Sequence, residues 1–416
     1  MCYIDSMDLS TDVDTSKESR QLDPEHTQLT LEKMGTLGDT IAHLDGEEIN
    51  VFGGIPGEKV TAEIFRYKKK RKRKVSAIVT KVLTASPHRI ESPCPYFGPC
   101  SGCQWQHITY DHQLTLKRQA VERELYAYPK LRDLSVSNTL FSHKPFYYRN
   151  HARFTIRRRG SLGFINRINH RFVRVDQCML MSGWINETLS KLQDRCGETS
   201  QLSMRYGVNT GKWLVQPSLS SKDIPIKTGQ THYSEKLLGQ EFRIASPSFF
   251  QVNTEQATQM VELVKSRLTL NGSETLVDAY AGVGTFSILM APHVRRVIAI
   301  EESESAIGDA AINAIGLDNL EFKQGKVEDV LKAPDDWTPD VVILDPPRSG
   351  CQPMAIKAVA KWAPRKTVYI SCDPSTLARD LNMLVADGLQ VDTIEPVDMF
   401  PQTHHVECIA TLTPAI

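Results

Sequence analysis

Three short motifs in the second half of this sequence carry residue types that do chemistry. Residues 278–286 read D-A-Y-A-G-V-G-T-F, residues 345–348 read D-P-P-R, and residues 369–380 read Y-I-S-C-D-P-S-T-L-A-R-D. Cys372 in the last of these lies 27 positions after Asp345 and just beyond a run, V-Y-I-S, that reads as a strand. A thiol at the carboxyl end of a strand in an α/β sheet stands where such folds place their chemistry, so Cys372 reads as a nucleophile. A lone cysteine is more often a small buried hydrophobe. The flanking motifs tip the balance.

Residues 278–286 predict a strand ending in a carboxylate, a glycine turn and a helix. The glycines let the backbone come close to a ligand, and the helix start offers amide donors. Glu301 ends the next apolar run, V-I-A-I-E, where nucleotide-binding α/β folds place a carboxylate for ribose hydroxyls. The dinucleotide fingerprint G-x-G-x-x-G is absent, because Thr285, Phe286 and Ser287 follow Gly284. The D-x-x-x-G-x-G form resembles instead the first motif of class I S-adenosylmethionine-dependent methyltransferases. In D-P-P-R the prolines end the strand V-V-I-L-D and hand Asp345 to the same cleft. Methyltransferases acting on exocyclic amines usually follow this motif with an aromatic residue; Arg348 stands there and argues against that chemistry.

The nine cysteines, in a chain whose N-terminus lacks the pattern of a signal peptide, read as metal ligands or reactive thiols rather than disulfides. Cys94, Cys100 and Cys103 lie in a Pro- and Gly-rich loop, with Cys178 far downstream. Four thiolates suit either zinc or a 4Fe-4S cluster, and spacing alone does not separate the two.

These groups must be held by more than one core. A chain of 416 residues predicts two or three domains. Residues 1–26, acidic and poor in large apolar groups, read as a disordered tail. Residues 27–86 alternate short apolar runs with glycine turns and predict a small OB-like β-barrel. Residues 87–240 read as a mixed α+β middle domain bearing the four cysteines. From 241 to 416, strand-like and helical runs alternate, which predicts a Rossmann-like α/β sheet.

The net charge is zero, but residues 66–74 hold eight basic side chains in nine positions, and residues 144–174 hold nine with no acid. Such runs attract phosphates, although each is also a plausible solvated face. In the second stretch Phe146, Tyr147, Tyr148 and Phe154 alternate with Arg149 and Arg153, the mixture that holds single-stranded RNA by stacking. No stretch approaches a membrane span, and a cytoplasmic, monomeric protein is expected.

Taken together, D-P-P-R-S-G, Y-I-S-C-D-P-S-T-L-A-R-D-L and the H-V-E of residues 405–407 resemble the RNA uracil-C5 methyltransferases, over roughly residues 28–413. The resemblance implies that the barrel is a TRAM domain and that Cys372 adds to C6 of a uracil. It implies that Glu407 is the base removing the C5 proton, and that Gln251, Tyr280, Glu301 and Asp345 line the S-adenosylmethionine site. It also implies a 4Fe-4S cluster on Cys94, Cys100, Cys103 and Cys178, and favours 23S rRNA over tRNA as substrate. Asp373 and Thr285 depart from the family, which commonly has Asn at both places; an acid beside the thiol would raise its pKa. Two other readings stand beside this one. An RNA cytosine-C5 methyltransferase also uses a thiolate, but with Pro-Cys or Thr-Cys motifs that Ser371-Cys372 does not match. A non-catalytic RNA-binding or chaperone-like module would have no use for Cys372, Glu407 and the cofactor set together.

Overall fold

The computed structural model describes residues 25–69, 72–157, 159–166, 170–332 and 337–415. Most of the expected tail, residues 1–24, lies outside the described residues, as do Lys70, Arg71, Arg158 and Arg167 of the two basic stretches.

Period-two patterning near the N-terminus gives a six-stranded sheet: β1 (His26–Thr30), β2 (Lys33–Met34), β3 (Thr40–Leu44), β4 (Glu47–Phe52), β5 (Lys59–Lys69) and β6 (Lys72–Thr84), in the order β1-β5-β6-β4-β3-β2. Pairing is antiparallel except between β4 and β6. Register shifts at Lys59/Val60 and Thr61/Ala62 bend the long β5–β6 hairpin over a core of Leu29, Ile49, Val51, Val60 and Ala77. The basic run brackets the tip of that hairpin, where Lys69 pairs with Lys72.

The cysteine loop leads into helix α1 (Tyr110–Tyr126). A second antiparallel sheet follows, built from β7 (His151–Arg157), β8 (Ser161–Ile165), β9 (Phe172–Arg174), β10 (Gln201–Tyr206) and β11 (Trp213–Gln216) in the order β11-β10-β7-β8-β9. Helix α2 (Gly183–Leu192) covers it through Ile185 and Leu189, against Phe154, Leu202 and Met204. The hairpin β12 (His232–Leu237) and β13 (Gln240–Ala245) and helix α3 (Thr254–Leu268) complete the lead-in to the last sheet.

That last sheet alternates strands and helices: β14 (Thr275–Ala279), α4 (Thr285–Met290), β15 (Arg296–Glu301), α5 (Glu304–Asn313), β16 (Leu320–Gln324), α6 (Val327–Val330), β17 (Val341–Leu344), α7 (Pro353–Trp362), β18 (Lys366–Ser371), α8 (Pro374–Ala386), β19 (Leu389–Val397) and β20 (Glu407–Pro414). The order is β16-β15-β14-β17-β18-β20-β19, with β14 to β18 parallel and β20 antiparallel to both of its neighbours. Buried on both faces, the central strands read as continuous apolar runs, and all four residues of β17 are buried. The strand order reverses between β14 and β17, so the cleft at their carboxyl ends is where an α/β sheet binds its ligand. The α/β class and the Rossmann-like C-terminal sheet are as the sequence predicts.

Residue 240 falls inside the β12–β13 hairpin, where Leu237 pairs with Gln240, and packing runs across the middle segment. Val121 and Leu125 of α1, with Leu131 and Val136, share one core with Leu377, Leu381 and Leu384 of α8 and with Ile394 of β19. Ser137 and Leu140 donate backbone hydrogen bonds to Ile394 and Pro396 at 2.9 and 2.8 Å. On the opposite face, Tyr233, Phe242 and Ile244 of the β12–β13 hairpin pack with Met260 and Leu276. Segments that read as part of a middle domain thus cover both faces of the C-terminal sheet, because its own short helices leave apolar surface that needs cover. Among the described residues no helix is long and apolar enough to cross a membrane.

Candidate functional site

The cleft is assembled from strand ends. Asp278, fully buried on β14, accepts hydrogen bonds from the amide of Ser287 at 2.8 Å and from the Ser287 hydroxyl, while its Oδ1 has no hydrogen-bond partner among the described residues. Burial pushes its carboxyl up to about 7; Ser287 opposes the shift, and the charges of Asp345 and Glu301 add to it. Glu301, closing β15, accepts from Gly282 N and Ser303 N at 2.8 Å each, which binds the glycine turn to the start of α5. Gly282 and Gly284 both take left-handed conformations, with φ of 57° and 88°, and a Cβ on Gly282 would meet no protein atom within 4 Å. Tyr280 shares the left-handed conformation with φ 68°. Its buried hydroxyl lies beside the Cys351 thiol and finds no well-formed hydrogen bond among the described residues. Asp345 follows β17 and donates its amide to Ala279 O at 3.3 Å.

The carboxylates of Asp278, Glu301 and Asp345 therefore share one electrostatic neighbourhood, a setting that favours a cationic ligand over a neutral or anionic one. An unpartnered buried carboxylate oxygen and a turn whose backbone is open to close approach suit S-adenosylmethionine. Gln251 sits two residues before the Asn253 cap of α3, and its carbonyl accepts from Asn150 Nδ2 at 3.1 Å. That bond ties the Gln251 segment to the start of the middle sheet.

Cys372 lies half-buried between β18 and α8. The β18–β20 register runs from Thr367↔Leu412 to Ser371↔Cys408, so Cys372 follows the last paired residue of β18 and Glu407 precedes the last paired residue of β20. Glu407 is 7 % exposed and pairs with Val397 of β19. The two residues, 35 positions apart in the chain, thus lie at the same end of neighbouring strands. Asp373 does not stand loose beside the thiol: it caps α8, its carboxylate accepting from Ser375 N and Thr376 N at 3.0 and 3.1 Å.

The turn after D-P-P-R is fixed from α8. Asp380, fully buried, accepts from the Tyr369 hydroxyl at 2.6 Å and from Cys351 N at 2.7 Å, and Arg379 Nη2 donates to Ser349 O at 2.8 Å. Arg348 reaches His405 Nδ1 at 3.3 Å, which links D-P-P-R to H-V-E.

Cys94, Cys100, Cys103 and Cys178 come together across the junction of the cysteine loop with the middle sheet. Burial is the main cause that pushes the Cys103 thiol up, and the nearby charges of Cys178, Cys100 and Cys94 push in the same direction. Gln106 Nε2 donates to Cys103 Sγ at 3.1 Å. Among the described residues no group of three or more His, Cys, Asp or Glu side chains is arranged to hold a single metal ion.

Of the four aromatics expected to stack on bases, Tyr148 and Phe154 are core residues, and Tyr147 is the exposed one, in a left-handed conformation with φ 57°. Alternation along a strand places Phe154 on the inner face of β7, which a count of aromatic and basic residues does not reveal. Gln113, Lys117 and Asp398, all fully buried, carried no signal in the sequence, since Gln and Lys on a helix read as solvent-facing.

Comparison with known proteins bears on this arrangement. Residues 234–414 match the family described as tRNA (uracil-5-)-methyltransferase. An RNA methyltransferase of Gloeobacter violaceus is 34% identical over 433 aligned residues, covering 90% of this chain and 93% of its own. One from Listeria innocua is 33% identical, with 92% and 96% covered. The crystal structure of Pyrococcus abyssi tRNA (uracil-54, C5)-methyltransferase in complex with S-adenosyl-L-homocysteine superposes with a TM-score of 0.73 at 27% identity, covering 92% of this chain and 99% of that one.

Proposed function

This chain belongs to the RNA uracil-C5 methyltransferase family and is an S-adenosylmethionine-dependent RNA methyltransferase, and from that premise we propose that it forms 5-methyluridine through a covalent adduct on Cys372. The observation that supports the mechanism is the β18–β20 register, whose last pair, Ser371↔Cys408, leaves Cys372 and Glu407 as the next residues on two neighbouring strands.

Uracil C5 is a weak nucleophile. Addition of the Cys372 thiolate to C6 moves the C5=C6 electron pair into an enolate, whose C5 attacks an electrophilic methyl group. S-adenosylmethionine supplies that methyl as a sulfonium. Glu407 then takes the C5 proton; the C–H pair re-forms C5=C6, and the C6–S bond breaks to return the thiolate. A carboxylate buried at the strand edge, away from bulk water, suits a base that acts once per adduct. We assign Asp278, Tyr280, Glu301, Asp345 and Gln251 to the cofactor site. The left-handed turn at Gly282 supports this for the first four, and the family resemblance supports it for Gln251.

The four-cysteine site we assign to a 4Fe-4S cluster with a structural role, since no step above transfers an electron. The N-terminal sheet is read as a TRAM-type RNA-binding barrel, supported by its basic hairpin. For the substrate we propose 23S rRNA, on the barrel and four-cysteine arrangement; tRNA, the substrate in the name of the Pyrococcus abyssi enzyme, is the competing arm of the assay.

RNA containing 5-fluorouridine tests the mechanism, because fluorine does not leave as a proton does. With methyl donor present, the wild-type protein should form an adduct that survives denaturation, and Cys372→Ala should form none. An adduct on neither 23S rRNA nor tRNA fragments, or one that persists in Cys372→Ala, overturns the assignment.

A further inference from the structure

The segment that delivers Glu407 is held almost entirely from outside the C-terminal sheet. Between β19 and β20, residues 398–406 run as a loop whose Gln402 is buried yet left-handed, with φ 68°. A side-chain-bearing residue keeps that conformation only where its surroundings over-determine it. Here they do. Gln402 N donates to Gln113 Oε1 at 3.0 Å, and Gln113 Nε2 donates back to Gln402 Oε1 at 3.0 Å. The Gln402 carbonyl accepts from Gln104 N and Trp105 N at 3.2 and 3.1 Å, which are the residues that follow Cys103.

The rest of the loop is fastened in the same way. Lys117 Nζ donates to Asp398 Oδ1 at 2.5 Å and to Phe400 O at 3.0 Å, and Asp398 also accepts the Tyr110 hydroxyl at 2.8 Å. Tyr148 OH donates to Pro401 O at 3.0 Å. His404 meets Gln104 at 3.3 Å. Helix α1 and the cysteine loop thus supply a partner for three of the five residues from Asp398 to Gln402, and Tyr148 supplies one for Pro401. A buried lysine and a buried glutamine contribute little to a fold that apolar residues could fill as well, whereas both fix geometry.

We propose that Gln113 and Lys117 are positioning residues for Glu407: they hold the 398–406 loop so that the carboxylate stays against the Cys372–uracil adduct, and they govern release of the adduct rather than its formation. This rests on the reading of Glu407 as the C5 base. Formation of the adduct draws on β18, α8 and the cofactor strands, which the loop touches through His405 and Arg348 but not through Gln113 or Lys117. Release alone needs the group at the start of β20.

The test compares two traps in Gln113→Met, which removes the amide exchange with Gln402 at similar volume, and in Gln402→Gly, which keeps the left-handed backbone without strain and removes the side-chain link. On 5-fluorouridine RNA both variants should form adduct at the wild-type rate. On ordinary uridine RNA with methyl donor, both should build up a denaturation-resistant RNA–protein species at least about tenfold above wild type, with turnover reduced in step. Glu407→Gln serves as the reference and should build up the same species. If either folded variant resolves adduct as fast as wild type, or loses trapping in parallel with turnover, the positioning role is overturned; should Gln113→Met not fold, Gln402→Gly decides alone. If Glu407→Gln itself accumulates nothing, it is the base assignment that has failed.

Discussion

Asp278 and Asp345 lie side by side at the ends of parallel neighbours, with Ala279 of β14 paired to Leu344 of β17 and the Asp345 amide bound to Ala279 O. The Asp345 charge adds to burial in raising the Asp278 carboxyl to about 7, against the hydrogen bonds of Ser287. The sign of the consequence follows. The folded chain holds this proton more tightly than the unfolded chain, so the unliganded protein loses stability as pH climbs from the ordinary carboxylate range towards 7, and no further above it.

Ligand affinity should move the other way. A sulfonium is drawn to an ionised Asp278, so S-adenosylmethionine should bind more tightly as pH rises through about 7. S-adenosylhomocysteine lacks that charge and should show a flatter curve. Calorimetric titrations across this range check it, and Asp278→Asn should flatten the curve for S-adenosylmethionine. Parallel curves for the two ligands in the wild type would sink the idea.

The two glycines of the cofactor turn should respond differently to alanine. At Gly284 a Cβ would come within 2.8 Å of Ile288 Cδ1 and sit at φ 88°, so Gly284→Ala should cost about 1–2 kcal/mol or more in denaturant unfolding. At Gly282 a Cβ meets no protein atom within 4 Å, so the strain of φ 57° is the main structural cost. Gly282→Ala should therefore weaken S-adenosylmethionine binding out of proportion to its effect on stability. Equal ratios of the two effects in both variants would contradict this.

Asp373 caps α8 immediately after the proposed nucleophile. Asp373→Ala should cost about 1 kcal/mol of stability through loss of the cap. Asp373→Asn keeps a capping oxygen and should leave stability nearly unchanged. Removing a negative charge beside the thiol should also shift the rising limb of the kcat/KM pH profile to lower pH in Asp373→Asn. A shift to higher pH would mean that the carboxylate aids the thiol in some other way.

Protein prepared without oxygen should carry iron and acid-labile sulfide at about four each per chain, with the brown colour of a 4Fe-4S cluster. Cys178→Ser and Cys100→Ser should each lose most of both. One zinc per chain and no sulfide would reassign the site. Because Gln104 and Trp105 follow Cys103 directly and bind the Gln402 carbonyl, loss of the cluster should also raise hydrogen exchange in the 398–406 loop.

What could be read from the sequence was local. Asp278, the glycines and Glu301 sit at strand ends and turns that hydrophobic runs and turn residues mark out on their own. Cys372 stood out by its place after an apolar run. The placing of Cys372 and Glu407 on neighbouring strands depends on β20 entering between β18 and β19, an antiparallel insertion that residue spacing does not encode. The placing of α1 on the C-terminal sheet was hidden for a different reason. Its inward face carries Gln113 and Lys117 among Leu116, Val121 and Leu125, which blurs the apolar stripe that would have marked the helix as buried. Tyr148 and Phe154 misled in the opposite sense, since an aromatic among arginines looks the same in sequence whether it faces core or RNA.

The bond between Gln113 and Gln402 joins residues 289 positions apart. Contacts of such separation form late on a folding pathway, after locally connected strands and helices have found one another. On the proposed mechanism, a newly made chain that has built β14 to β18 and α8 but not yet closed this ring would carry its thiol without its base. Such a chain would act as a crosslinker of RNA rather than a catalyst, and prompt closure of the ring would protect the substrate as well as the enzyme.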